Sequence, residues 1–541
     1  MKKPLLLFLS CALSLSCLAT SALAQTPPSF VLAQATDNVS KAQLEQALQA
    51  YKAQDYKKAN ALTTQIIERN PDFNAGFAYY LRGLMAYEQN QAQDALRDLN
   101  EAIAISDKNP YYYYDRARSY AKLGEYNKAL ADFTISLSRS PNDLAKKAYP
   151  YNARGVAYMY SQNLPAALKD FQQATALDAN FKFGWYNQSR IHNELGEYEK
   201  ALVVAKKALA LDANYDAAFY QQGLAYQGLQ KYEDALKNFD KALQLYPDWE
   251  DYFFNERGLT HLALLNYPRA RADFQRALDL NPKNYNALNN LGLSYYREQN
   301  HEKALEAFAK TVEVNPKFAT VYYNQGLTYK ALGKYPEAIA AYSQAIALKP
   351  DDANAYNNRG LVYASQRNYE AALKDLFKAT ELNPQDKRAL NNIGDIYRRQ
   401  KKYEDAHTYI EKALKLDPQY VLALDNLGMI YFGLRDYTQA AQAFEKALKY
   451  DPSRVATRND LGVTYRNLKQ YDKALALFEG ILKADPNNGL ALTNMGRVER
   501  DRGNCALADK YFKQACEKAY KDACNLSCQP DDANPERPST D

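Results

Sequence analysis

The sequence predicts an all-α solenoid of tandem helix-turn-helix units, on three observations. Seven glycines, Gly292, Gly326, Gly360, Gly394, Gly428, Gly462 and Gly496, stand 34 residues apart. Each is followed twelve residues later by an alanine: Ala304, Ala338, Ala372, Ala406, Ala440, Ala474 and Ala508. Six of them have a proline 24 residues on, at Pro316, Pro350, Pro384, Pro418, Pro452 and Pro486. A fixed period of this length marks stacked supersecondary units, none of which can bury its apolar face alone.

In chain order, residues 1–24 read as a secretory leader. Lys2 and Lys3 give the charged start, Leu5 to Leu18 is apolar, and Ala22-Leu23-Ala24 is a small-x-small cleavage site. The apolar stretch is short for a membrane anchor and no second one follows. Lipidation at Cys17 is the alternative, but Ser14-Leu15-Ser16 lacks the leucine expected three residues before it. The mature chain is therefore expected to be exported, to a periplasm or to the exterior. Residues 25–39, with Pro27-Pro28, read as a flexible linker. Ser40 with Gln43 three residues later is a capping-box start for the first helix. Repeats fill 40–522, beginning near 40, 76, 110, 148, 182, 216, 251, 285, 319, 353, 387, 421, 455 and 489. Residues 523–541 hold two cysteines and then a tail rich in proline and acidic residues, expected to be disordered.

Asn286 to Tyr322 shows how one repeat works. Leu288, Leu291, Gly292 and Tyr295 lie three or four apart and share one helix face. After a turn near Gln299-Asn300, a second helix carries Ala304, Leu305, Phe308 and Val312. Asn315-Pro316 ends it, because proline cannot continue a helix. Gly292 is expected to face Ala304 where the two helices cross.

These spacings closely resemble the tetratricopeptide repeat (TPR) family. The match covers 14 units and about nine-tenths of the chain. The earlier units are marked by Ala47, Gly83, Ala117, Gly155, Ser189, Gly223 and Gly258, and all 14 keep the alanine twelve residues later. Departures are small: spacings of 36, 38 and 35 before Gly83, Gly155 and Gly258, and alanine for proline at Ala179 and Ala213. The resemblance implies a right-handed superhelix whose groove is lined by the first helices. Tyrosines recur in the inter-helix turns, among them Tyr56, Tyr126, Tyr198, Tyr335 and Tyr403, so much of the tyrosine excess reads as packing.

On the expected groove face, the N-terminal half is aromatic, with Tyr80, Tyr111, Tyr114, Tyr186 and Tyr220; contacts within the array compete with binding there. The C-terminal half carries a row of asparagines two residues before the marker: Asn290, Asn324, Asn358, Asn392, Asn426 and Asn494. Arg398, Arg399, Arg466 and Arg500 project farther along the same faces. An asparagine amide both donates and accepts, so a row of them can read peptide backbone. The row resembles the asparagine ladder of the TPR part of O-linked N-acetylglucosamine transferase. The competing reading is that it bridges adjacent repeats; for the arginines it is a solvated helix face. The lysines that clamp chaperone-tail carboxylates in some TPR proteins have no matching set here, since those offsets mostly carry tyrosine, phenylalanine, asparagine or small residues.

Cys505, Cys516, Cys524 and Cys528 are spaced 11, 8 and 4 apart, which suits metal binding poorly. In an oxidising compartment disulfides are the better reading. Cys516 ends one helix and Cys524 begins the next segment, and antiparallel helices bring such ends together. The stretch also resembles the C-x7-C bridge of the cysteine-rich αα-repeat family. Cys505 meets Cys528 only if the chain after Cys524 runs back along the helix. The bridges would cap a last repeat that has no following neighbour.

The net charge is +5, and +3 (5 − 2) without Lys2 and Lys3, which makes no case for nucleic acid. The sequence has no phosphate loop, H-E-x-x-H or nucleophile elbow, and its four histidines sit at repeat positions. No catalytic residue, metal or cofactor is expected. The resemblance implies a non-catalytic scaffold for a peptide or protein partner. An accessory factor of envelope assembly, in polysaccharide export or pilus biogenesis with glycan or lipoprotein contacts, stays open beside it.

Overall fold

A computed structural model describes residues 38–69, 73–140, 142–518 and 520–528. The leader with Cys17, most of the 25–39 linker and the tail 529–541 lie outside the described residues. The described chain forms 28 α-helices in 14 antiparallel pairs, from Asn38–Lys52 with Tyr56–Arg69 to Gly489–Asp501 with Cys505–Glu517. The first helix begins at Asn38, so Ser40 lies inside it rather than at its cap. The chain divides into two compact units, Met1–Ser294 and Tyr295–Asp541.

The marker glycine does not chiefly accommodate the alanine twelve residues on. It accommodates the side chain sixteen residues on, from the second helix of its own pair. A Cβ at Gly428 would sit 2.5 Å from the Phe444 ring, and one at Gly223 would sit 2.6 Å from Phe239. Phe171, Phe239, Phe274, Phe444 and Phe478 are all fully buried, so these pairs close on a ring set against a helix with no side chain in the way, while Gly83, Gly360 and Gly394 meet Leu99, Leu376 and Ile410 instead. The alanine contributes its backbone: the carbonyl oxygens of Ala372 and Ala406 approach Gly360 and Gly394.

The turn tyrosines open the second helices, and their rings pack against the end of the next first helix. Tyr198 lies against Gly228 and Tyr403 against Gly433, while Tyr126 stacks on Tyr160 at 5.3 Å. The turn itself places one residue in the left-handed region seven positions after every marker. Gly124, Gly196, Gly333 and Gly503 take it freely; Leu265 (φ 58°), Gln299 and Arg435 are among ten non-glycines that also adopt it. The long spacing before Gly155 forms a 3-10 turn, Leu144–Lys146, whose Leu144 is fully buried against Tyr114 and Phe133. The extra residues thus become part of the core.

The last pair is closed by two disulfides, Cys505–Cys528 and Cys516–Cys524, with Cα separations of 5.1 and 4.8 Å. They hold a short 3-10 turn, Lys521–Ala523, against the final helices. Ala523 is buried with Leu492 and Ala515, and Tyr520 packs on Gly489. This segment covers apolar surface that another repeat would otherwise cover.

Candidate functional site

The residues two and three before each marker share one face of the first helices, and they are joined by a repeated hydrogen bond. The residue at the second position bonds to the residue at the third position of the preceding repeat, 35 residues earlier. In the Met1–Ser294 unit, Tyr80 Oη donates to Asp115 Oδ2 at 2.8 Å, Asn187 Nδ2 to Asn152 Oδ1 at 2.8 Å, and Asn290 Nδ2 to Asn255 Oδ1 at 2.9 Å. In the Tyr295–Asp541 unit, Asn358 Nδ2 donates to Tyr323 Oη at 3.0 Å, Asn392 to Asn357 at 2.9 Å, Asn426 to Asn391 at 3.0 Å, and Asn494 to Asn459 at 2.6 Å. The asparagine row therefore bridges adjacent repeats. Any ligand contact is made with the capacity that remains.

That capacity differs along the row. Asn324 and Asn494 are buried. Asn358 spends its second N–H on the Asn354 carbonyl. Asn392 and Asn426 are half-buried and spend one N–H each in the bridge, which leaves one donor and a carbonyl acceptor on each carboxamide.

The aromatic residues of the Met1–Ser294 unit behave differently. Tyr80, Tyr114, Tyr186 and Tyr220 are buried, and only Tyr111 is partly open. Tyr80 packs on Tyr112 at 4.8 Å, Tyr114 on Tyr149 at 5.6 Å, Tyr186 on Tyr215 at 5.5 Å, and Tyr220 on Trp249 at 5.2 Å. Each of the four buried rings packs on a ring near the start of the next first helix, so contacts within the array, and not an open ligand surface, account for them; of the five expected tyrosines Tyr111 alone stays partly open. The same face holds a buried ion cluster. Arg118 donates to Asp115 at 2.9 Å and lies over the Tyr87 ring at 4.2 Å. Burial pushes the Asp115 carboxyl above its ordinary value against the opposing pull of Arg118 and Tyr80.

The expected arginines are largely engaged within the array. Arg398 and Arg399 share the Asp395 carboxylate, with Nε distances of 3.1 and 2.8 Å. Arg466 reaches Asp501 of the next repeat at 2.7 Å. Arg500 lies 6.0 Å from the Phe512 ring, and its buried Nη1 makes no hydrogen bond. On the same helix offset, burial lowers the Lys330 ammonium below its ordinary value.

One recurrent pair escaped sequence reasoning. An arginine just before the marker forms a two-pronged bond with an aspartate sixteen residues later: Arg82–Asp98, Arg116–Asp132, Arg154–Asp170, Arg257–Asp273 and Arg359–Asp375. Its free nitrogen then reaches the second helix of the preceding repeat, as Arg116 does to Asn100 and Arg359 to Ser343. The signal was legible as a co-occurrence, since either partner is present only with the other at these offsets. Among the described residues no group of three or more His, Cys, Asp or Glu is placed to hold a metal, and no helix is long and apolar enough to cross a membrane.

Family models described as tetratricopeptide repeat match residues 44–110, 110–143, 152–216, 217–248 and 431–495. A model described as the C-terminal domain of cilia and flagella-associated protein 70 matches residues 255–460. Serine/threonine-protein phosphatase 5 of Rattus norvegicus is 37% identical over 99 residues, 18% of this chain and 19% of that protein. Hsp70-Hsp90 organizing protein 1 of Glycine max is 27% identical over 165 residues, 27% of this chain and 28% of that one. Among curated relatives such as these, the match spans less than a third of their length. The APC/C hetero-tetramer Cut9-Hcn1 aligns over 93% of this chain and 99% of that chain at 19% identity, with a TM-score of 0.47. YrrB, described as a TPR protein with an unusual peptide-binding site, aligns over 34% of this chain and 95% of that chain at 28% identity, with a TM-score of 0.29.

Proposed function

Because the chain belongs to the tetratricopeptide repeat family, we propose that it is a non-catalytic scaffold that holds an extended peptide or protein segment on the first-helix face of its Tyr295–Asp541 unit. One observation carries this reading: Asn392 and Asn426, one repeat apart, each keep an unspent N–H and carbonyl on a half-open face. A backbone amide laid along the face can donate to one and accept from the other without regard to side chains. The same face of the Met1–Ser294 unit is largely occupied by its own rings.

The scaffold is also read as exported, to a periplasm or the exterior, where envelope assembly would supply partners. The leader pattern of residues 1–24 and the two disulfides support this, since disulfides persist in oxidising compartments.

Affinity capture with the intact chain, followed by the Asn392→Ala/Asn426→Ala chain, tests the binding face. A partner retained by the first and lost by the second, with circular dichroism unchanged, supports it. Undiminished retention rejects it. Mapping the mature N-terminus and the cysteine state tests export: an intact leader or free thiols would exclude it.

A further inference from the structure

The five arginines before the markers fill a groove on the second-helix side, between one repeat and the one before it. In the tenth repeat, Arg359 lies in this groove, clamped by Asp375 at 2.7 and 2.8 Å and by Ser343 of the preceding second helix at 2.7 Å. The twelfth repeat has the same backbone positions with different occupants. Leu427 stands for Arg359, Ala443 for Asp375, and Glu411 for Ser343. With neither the guanidinium nor its carboxylate present, a cavity of about 770 Å³ opens between helix Tyr403–Leu416 and the pair Val421–Gly433 and Tyr437–Tyr450. This is within the range that holds small ligands, roughly 300–1,000 Å³.

The lining sets the chemistry. Its wall is mainly apolar, from Leu414, Leu424, Leu427, Ala443 and Tyr431, of which Leu424, Leu427 and Ala443 are buried; Thr408, Gln439 and Gln442 are its uncharged polar members. Its rim carries Lys412, Lys415 and Lys446 against one carboxylate, Glu411. Glu411 itself has a neighbour in His407, whose Nε2 lies 3.9 Å away. Lys412 lies over the Tyr409 ring at 4.6 Å, and Lys415 and Lys446 are in no ion pair among the described residues. A mainly apolar wall under an excess of unpaired ammonium groups suits an aliphatic chain ending in an anion. The chain replaces water on the leucines, and the head takes charge-assisted hydrogen bonds from the rim.

We propose that the cavity between the eleventh and twelfth repeats is a binding site for a fatty-acyl carboxylate, with its chain on Leu414, Leu427 and Ala443 and its head among Lys412, Lys415 and Lys446. The site lies on the second-helix side and is separate from the asparagine face, so either can hold without the other.

Calorimetric titration of the full chain with dodecanoate, below its micelle concentration, tests the site. Saturable binding of one equivalent is expected, at least about tenfold tighter than dodecyltrimethylammonium, which carries the same chain and the opposite charge. Leu427→Arg with Ala443→Asp installs the pair that fills the groove at Arg359–Asp375, and should abolish binding. Replacing exposed Lys412, Lys415 and Lys446 by Gln leaves the core untouched and should weaken binding about tenfold. Absence of saturable binding overturns the proposal, as does equal affinity for the cationic amphiphile. If the filled variant does not fold, the lysine variant decides: unchanged dodecanoate affinity overturns the site.

Discussion

In the Met1–Ser294 unit a tyrosine hydroxyl and a carboxylate, Tyr80 and Asp115, make the bond that Asn391 and Asn426 make with two carboxamides in the Tyr295–Asp541 unit. The offset is the same and so is the 35-residue separation. What differs is the residue three before the marker: tyrosine at Tyr80, Tyr114, Tyr186 and Tyr220 in the first unit, asparagine at Asn357, Asn391 and Asn459 in the second. A tyrosine adds a ring to the face and an asparagine adds almost nothing, so the first unit's face is filled by Tyr80, Tyr114, Tyr186 and Tyr220 while the second keeps half-open amides. Beneath the face the units are alike: Phe239 closes on Gly223 as Phe444 closes on Gly428. One repeat frame can thus carry a self-filled face or an open one by exchanging residues at two offsets, without altering how its helices pair.

The contrast can be broken most severely at Arg118. Arg118→Ala leaves the Asp115 carboxylate buried with only Tyr80, and should destabilise the N-terminal unit by about 3–5 kcal/mol. Hydrogen exchange of amides in 76–122 reads this locally, and protection there falling by less than tenfold would show that the cluster is not what holds the face shut. A smaller loss, about 1–3 kcal/mol, is expected for Asp98→Ala, which strands Arg82. Adding Arg82→Leu should recover much of it, because Leu427 with Ala443 shows that the position accepts an apolar pair. A double-mutant cycle with no coupling would refute that equivalence.

In the second unit Asn392→Ala removes one bridge and should lower stability by about 1 kcal/mol, measured as a shift in the urea midpoint. No shift would mean that the bridge holds nothing and the row is free for ligand. The smallest effect is a control on the comparison itself. Leu265 and Arg435 occupy the same left-handed turn position in different units. Leu265→Gly and Arg435→Gly should each stabilise by about 0.5–1 kcal/mol, since glycine adopts that region without the Cβ penalty but is freer when unfolded. Unequal gains would place part of the difference between the units in their turns.

The sequence made the repeats legible because their determinants are local. A proline ends a helix wherever it stands, and an alanine or glycine at a crossing is needed by the pair that contains it. Cys516 and Cys524 were readable for the same reason, as the two ends of a single turn, and Cys505–Cys528 needed only that the chain double back. The face was harder to read. Tyr80 and Asn392 look equally available on a helical projection, and nothing within their own repeats says that one is buried among rings while the other is half-open.

By itself the sequence determined the helix pairs, their number and their order, since each depends on contacts within about one repeat. The tertiary structure decided which side chains are already spent. Each bridge joins residues 35 apart on separate first helices, and groove arginines such as Arg116 and Arg359 reach into the repeat before their own. Whether an amide, a ring or a guanidinium is free to meet a ligand depends on that neighbour, because a buried polar group takes the nearest partner that stacking brings to it.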